Sequence, residues 1–171
     1  KAVLPPPDST QTLSTANPDL RKMVSVGDAE MAYIDIGEGD PIVFLHGNPT
    51  SSFLWRNVIP HVEGLGRIIV PDFIAHGWSS ASGHGGYRFQ DNIDYFDAFF
   101  DALDLTSNVT LVIHDWGAAV GFYRAARFPE QIQGIAYMEA MVWPRHWKDI
   151  PEARVGAFKN FRTPEGEKAA L

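Results

Sequence analysis

The stretch Thr110–Phe122, TLVIHDWGAAVGF, decides how the chain folds. Val109–Ile113 is a short apolar run rich in β-branched residues and reads as a buried strand. It runs into His114, Asp115 and Trp116. Gly117 follows, and small residues open a helix over Ala118–Phe128 that Pro129 stops. A second apolar run, Ile132–Met138, comes next. Strand, sharp turn, helix and strand in this order make a parallel pair joined by a right-handed crossover.

The same alternation extends outward in both directions. Met23–Val26 and Met31–Ile36 read as two strands joined by a turn at Gly27-Asp28, an antiparallel edge. Ile42–Leu45 and Arg67–Asp72 are further strands. Between them, Ser51 or Ser52 is placed to cap a helix reaching about His61, with Leu54, Val58 and Val62 on one face. Phe89, Ile93, Phe96, Phe100 and Leu103 recur at helical spacing, and Asp91, Asp94, Asp97 and Asp101 read as the solvated side of that helix. Beyond Met141 the chain reads as loop and helix. The expected fold class is α/β, a mostly parallel sheet flanked by helices.

Composition narrows the function classes. The 171 residues hold 45% apolar side chains, enough for a sizeable core in a soluble globular domain. Basic residues number 14 against 21 acidic ones, a net charge of -7, and no basic cluster appears. That argues against a nucleic-acid or anionic-membrane surface. There is no cysteine, which excludes thiol catalysis and zinc–thiolate sites. The six histidines show no metal-ligand spacing, so neither a metal nor a cofactor is expected. No apolar run reaches the length of a membrane span. The compartment, cytoplasmic or periplasmic, stays undecided. The Pro-, Ser- and Thr-rich residues 1–20 read as an irregular arm, residues 21–140 as a core, and residues 141–171 as the beginning of a helical cap.

Asp115 raises the chemical question. Parallel strands direct their carboxyl ends to one side, where ligands bind. Asn48, Asp72, Asp115 and Glu139 all fall at such ends. An unpaired buried carboxylate is costly, so packing alone does not account for Asp115. The following helix directs its amino end at this residue and favours an anion there. A carboxylate needs no base before it attacks, which suits displacement at a saturated carbon and formation of an ester. The bland reading is an aspartate that caps its helix. Trp116 brings one donor and no acceptor, and the Asn48 amide brings two donors; both suit a departing anion. Glu139 closes the strand expected beside that of Asp115, within reach of one intervening group. His114 alternates to the opposite face and reads as structural, and His46 reads as fixing the loop backbone.

The turn at Asp115 resembles the nucleophile elbow of α/β-hydrolases, with aspartate where serine is common and Ile113 in place of the first glycine. Together HGNPTSSFLWRNVIPH (His46–His61), PDFIAHGWS (Pro71–Ser79), VIHDWGAAVGF (Val112–Phe122), GIAYMEA (Gly134–Ala140) and FKNFRTPEGE (Phe158–Glu167) resemble the haloalkane dehalogenases of the α/β-hydrolase superfamily. The match is to the subfamily with asparagine and tryptophan as halide donors and glutamate as catalytic acid. The resemblance implies Asp115 as nucleophile, Asn48 and Trp116 as halide donors, and the backbone N–H groups of Asn48 and Trp116 as the oxyanion hole. It implies Glu139 as the group that orients a histidine base, and Phe158, Ile150 and Ala153 as cap residues facing the substrate. The implied partners are a halogenated substrate and a halide ion.

The family's base histidine follows its last strand, and none of the six histidines here stands in that motif. The reading therefore expects a C-terminal part outside these residues, supplied by a complementary segment or chain. It expects the 171 residues by themselves to aggregate or stay dormant. HDWG is shared with epoxide hydrolases and with coelenterazine luciferases, which remain alternatives, as does a noncatalytic fragment.

Overall fold

Continuous apolar runs in the central strands give one sheet with a hydrophobic cluster on each face. The computed structural model describes residues 21–85, 87–142, 146–160 and 163–166. The arm expected over residues 1–20 lies outside them. The chain divides into two units, residues 1–141 and 142–171.

The first unit holds β1 (Arg21–Val26), β2 (Ala29–Ile36), β3 (Pro41–Leu45), β4 (Arg67–Pro71), α1 (Phe89–Ala102), β5 (Val109–His114), α2 (Trp116–Arg127) and β6 (Ile132–Met138). The sheet runs in the order β1-β2-β4-β3-β5-β6. The strands β4, β3, β5 and β6 are parallel, and β2 joins β1 and β4 antiparallel. The antiparallel edge expected at the start of the chain is therefore present. Its two-residue turn has Gly27 at φ 61°, a left-handed conformation natural to glycine.

Successive residues of β3 serve opposite faces. Val43 and Leu45 pack with Ile69, Leu111, Ile113 and the apolar stripe of α1, Ile93, Phe96, Phe99 and Phe100. Phe44 turns the other way, to Ile34, Ile68, Val70, Trp55 and Ile59. Phe96, Phe99 and Phe100 are each at most 1% exposed, and burying one such ring contributes about 1.5–3 kcal/mol. This packing fixes α1 and α2 against the sheet and so sets where each strand ends. Strand β6 is the last in the sheet order, and Ile135, Tyr137 and Met138 on it are exposed.

Two local expectations are corrected. Residues 52–61 do not form one helix. They form two short turns, Ser52–Trp55 and Ile59–His61. Ser51 caps the first, its Oγ accepting from the Phe53 N–H at 3.4 Å. Pro60 lacks the N–H that a continuous helix requires and its ring crowds the preceding turn. The buried apolar residues of this segment are accordingly Trp55 and Ile59, while Val58 is exposed. The acids of α1 are not all solvated either. Asp91 is buried at the helix start, accepting from the Arg88 backbone N–H at 2.7 Å and from its guanidinium. Asp97 accepts from Arg124 at 2.6 Å and Arg127 at 2.5 Å. The helix start needed an anion, and buried Arg124 needed a counter-charge. Asp94 and Asp101 are exposed as expected.

The second unit contains a single turn at Trp147–Asp149 and α3 (Glu152–Asn160). The Asp149 carboxylate accepts from the His146 N–H at 2.9 Å and closes that turn. Ile150 follows it and is half-buried; Ala153 and Phe158 lie on α3 and are exposed.

Candidate active site

Strand β5 delivers its last residue to a turn that only small neighbours permit. Asp115 sits at φ 52°, ψ -120°, a conformation that non-glycine residues rarely adopt, between β5 and α2. A Cβ on Gly117 would run into the backbone carbonyl oxygens of Leu45, at 2.6 Å, and His46. A Cβ on Gly121 would meet Ile113 Cγ2 at 2.7 Å. Both glycines let α2 approach β3 and β5 closely. A Cβ on Gly47 would collide with the Asp115 side chain itself, with Cγ at 2.7 Å. The 46–48 loop and the aspartate are thus packed backbone to carboxylate.

The carboxylate does not cap its helix: its side chain makes no bond to the first-turn N–H groups of α2. The capping reading is corrected on this point. The φ/ψ of Asp115 carries the side chain away from the helix end, and Oδ1 accepts instead from the Asn48 backbone N–H at 2.9 Å. Asn48 thereby joins Asp115 across 67 positions of sequence.

The loop that presents Asn48 is braced from beneath. His46 is fully buried, with Nδ1 2.8 Å from Gly47 O and Nε2 accepting the Phe73 N–H at 3.0 Å. A carbonyl only accepts, so Nδ1 carries the proton and the tautomer is set. Burial is the main cause that pushes the His46 imidazole down to about 4 and keeps it neutral. Thr50 donates from both N–H and Oγ1 to Gly47 O, at 3.0 and 2.9 Å. Asp72, also buried, ties the next loop: it accepts from the Ser52 N–H at 2.6 Å and the Trp78 N–H at 2.9 Å. Its place at a strand end thus serves to hold loops.

Asn48 and Trp116 line one cavity of about 300 Å³, together with Phe73, Ile74, His76, Phe89 and Val120 among others. Its wall is mostly apolar, with a few polar groups, the usual character of a small-molecule site. Phe89 of α1 packs near Trp116, ring centroids 6.3 Å apart. Glu139 stands just past β6. Register pairs His114 with Met138, so Asp115 and Glu139 are the next residues on adjacent parallel strands. Glu139 has φ 50°, close to that of Asp115. Two carboxyl-bearing residues with positive φ thus stand side by side at the ends of adjacent parallel strands. Ile150, Ala153 and Phe158 belong to the second unit.

His76 is a site residue that the sequence gave little reason to single out. Its Nδ1 lies 3.0 Å from Ile74 O and its Nε2 3.3 Å from Asn48 Oδ1. The available signal was its place in the loop after β4, at the carboxyl end of a parallel strand. Tyr87, Phe89 and Asn92 also line the cavity; they come from the loop and first turns of α1, which no motif marks.

Residues 40–169 match the family model described as alpha/beta hydrolase fold. A haloalkane dehalogenase of Sphingobium indicum is 50% identical over 154 residues, 88% of this chain and 52% of the relative. One from Mycolicibacterium smegmatis is 49% identical over 144 residues, 82% of this chain and 46% of the relative. Among solved structures, a haloalkane dehalogenase from Bradyrhizobium elkani superposes with a TM-score of 0.77 at 40% identity, covering 87% of this chain and 52% of that one. The chain spans about half the length of the curated relatives it matches. Sheet order, the strained elbow at Asp115 and the match over residues 40–169 agree, and the chain belongs to the alpha/beta hydrolase fold family.

Proposed function

We propose that the chain carries the nucleophile half of a haloalkane dehalogenase, which converts a haloalkane and water to an alcohol, a halide ion and a proton. The observation that carries the reading is the 2.9 Å bond from the Asn48 N–H to Asp115 Oδ1 beside a cavity lined by Asn48 and Trp116. That bond holds one carboxylate oxygen and leaves the other to attack. The attacking oxygen forms a bond to the halogen-bearing carbon, and the carbon–halogen bond breaks with its electron pair leaving on the halide. The side-chain N–H groups of Asn48 and Trp116 receive that anion without an acceptor to repel it. The mostly apolar wall admits the alkyl chain. Similarity to haloalkane dehalogenases at 46–50% identity supports the same chemistry.

In the second half-reaction water attacks the ester carbonyl, and the oxyanion forms at the carboxylate oxygen that Asn48 N–H already touches. The Trp116 N–H, next in sequence at the start of α2, is the second donor. A base takes the proton from water, and Glu139 on the adjacent strand orients that base. Both ring nitrogens of His46 are engaged. The base is therefore a group other than His46.

The test measures halide released per chain from a short bromoalkane. It uses the chain alone and the chain joined to the downstream half of the Sphingobium indicum relative. The joined protein turns over repeatedly, and the chain alone releases at most one equivalent. Release unchanged in Asp115→Asn of the joined protein contradicts the reading. Formation of a diol from an epoxide, or light from coelenterazine, in place of halide release also contradicts it.

A further inference from the structure

The side chain of Asn48 has a partner that limits which way its amide faces. His76 Nδ1 is 3.0 Å from Ile74 O, which only accepts, so Nδ1 carries a proton. His76 Nε2 is 3.3 Å from Asn48 Oδ1, again only an acceptor. Both contacts are satisfied when both ring nitrogens carry protons. Asn48 then holds its oxygen on His76 and has its Nδ2 free. When the ring has given up its second proton, Nε2 becomes an acceptor. The contact is then satisfied with the amide turned over, Nδ2 donating to Nε2 and Oδ1 turned to the other side.

We propose that His76 is a positioning residue for anion binding: its Nε2 proton fixes Asn48 with Nδ2 available to a halide, and loss of that proton reverses the amide. This rests on the reading of Asn48 as a halide donor. It adds a dependence on protonation that the donor pair alone does not contain. Halide and proton then bind with positive coupling, each favouring the other.

The titratable groups around this pair come from each loop packed on it. His46, from the β3 loop, lies with its ring 5.3 Å from that of His76. Burial holds it neutral down to about 4, so it keeps one state at higher pH. Asp115, from the elbow, is bonded to the Asn48 N–H and not to its amide. Asp72, at the end of β4, is bonded to the backbone N–H groups of Ser52 and Trp78. Tyr87 lines the cavity before α1.

The experiment titrates sodium bromide into the full chain, following the Asn48 side-chain amide and the His76 ring nitrogens by ¹⁵N NMR. Bromide affinity is expected to be roughly 5-fold or more lower at high pH than at low pH. Bromide is expected to raise the doubly protonated fraction of His76. In His76→Gln, whose amide does not titrate, bromide binds with no such dependence. A structural role alone would lower affinity equally at all pH values. Bromide affinity that is independent of pH in the unsubstituted chain, with Asn48→Ala still abolishing binding, overturns this proposal and leaves the halide site standing. Bromide binding unaffected by Asn48→Ala, or none at any pH, overturns both.

Discussion

The backbone N–H of Asn48 donates to Oδ1 of Asp115 at 2.9 Å, joining residues 67 positions apart. That bond needs the β3 loop and the elbow to touch without an intervening side chain. Gly47 provides the gap, because a Cβ there would fall on the Asp115 carboxylate. Gly47→Ala therefore moves the nucleophile rather than unfolding the chain. Ester formation with a bromoalkane should drop roughly 100-fold, the usual effect of displacing a reacting group by about 1 Å. Rapid-quench mass spectrometry against unchanged circular dichroism checks this.

The glycines of the α2 region and of β6 should respond in opposite ways. Gly117→Ala forces a methyl onto the carbonyl oxygens of Leu45 and His46, which belong to a central strand and its loop. Overpacking of this kind costs about 1–3 kcal/mol. Gly134→Ala meets nothing within 4 Å. Its effect comes through the unfolded chain, a gain of up to about 1 kcal/mol. Urea unfolding of the two variants should place them on either side of the parent.

Arg124 is 2% exposed and is held by Asp97 at 2.6 Å, by Gln131 at 2.7 Å, and between the rings of Phe100 and Phe128. Asp97→Asn leaves that buried guanidinium without its anion and should cost about 3–5 kcal/mol. Arg124→Met with Asp97→Leu removes both charges and should cost much less. Urea unfolding of Asp97→Asn and of the double variant measures the difference.

Acid should destabilise the chain in a window set by His46. Its imidazole titrates near 6.5 when free and near 4 in the folded chain. Between these values the unfolded chain binds a proton that the folded chain refuses. The stabilisation is complete above about pH 6.5 and is lost as pH falls to about 4, by roughly 3 kcal/mol. In His46→Gln the folded chain is weaker at pH 7, and its stability falls less over the same window. Chemical denaturation at several pH values checks the slope.

The sequence carried the parallel core and the elbow, because both are written in short-range pattern. Val109–Ile113 is apolar and β-branched, Pro129 stops the helix, and Gly117 marks the sharp turn. It also carried the position of Asn48 at a strand end. It did not carry the breaking of residues 52–61 into two turns, where one proline outweighed the spacing of Leu54, Val58 and Val62. Nor did it carry the fate of Asp97, whose partner Arg124 lies on another helix. His76 was hidden for the same reason. Its contact with Asn48 spans 28 residues and exists only once β3 and β4 lie side by side.

The central claim is that Asp115 attacks carbon directly. Peptide mapping after incubation with a short bromoalkane tests it. The account predicts an alkyl group in place of a proton on the peptide containing Asp115, with one bromide released per adduct and no adduct in Asp115→Asn. Alkylation confined to another residue, or an equal yield from Asp115→Asn, would contradict it.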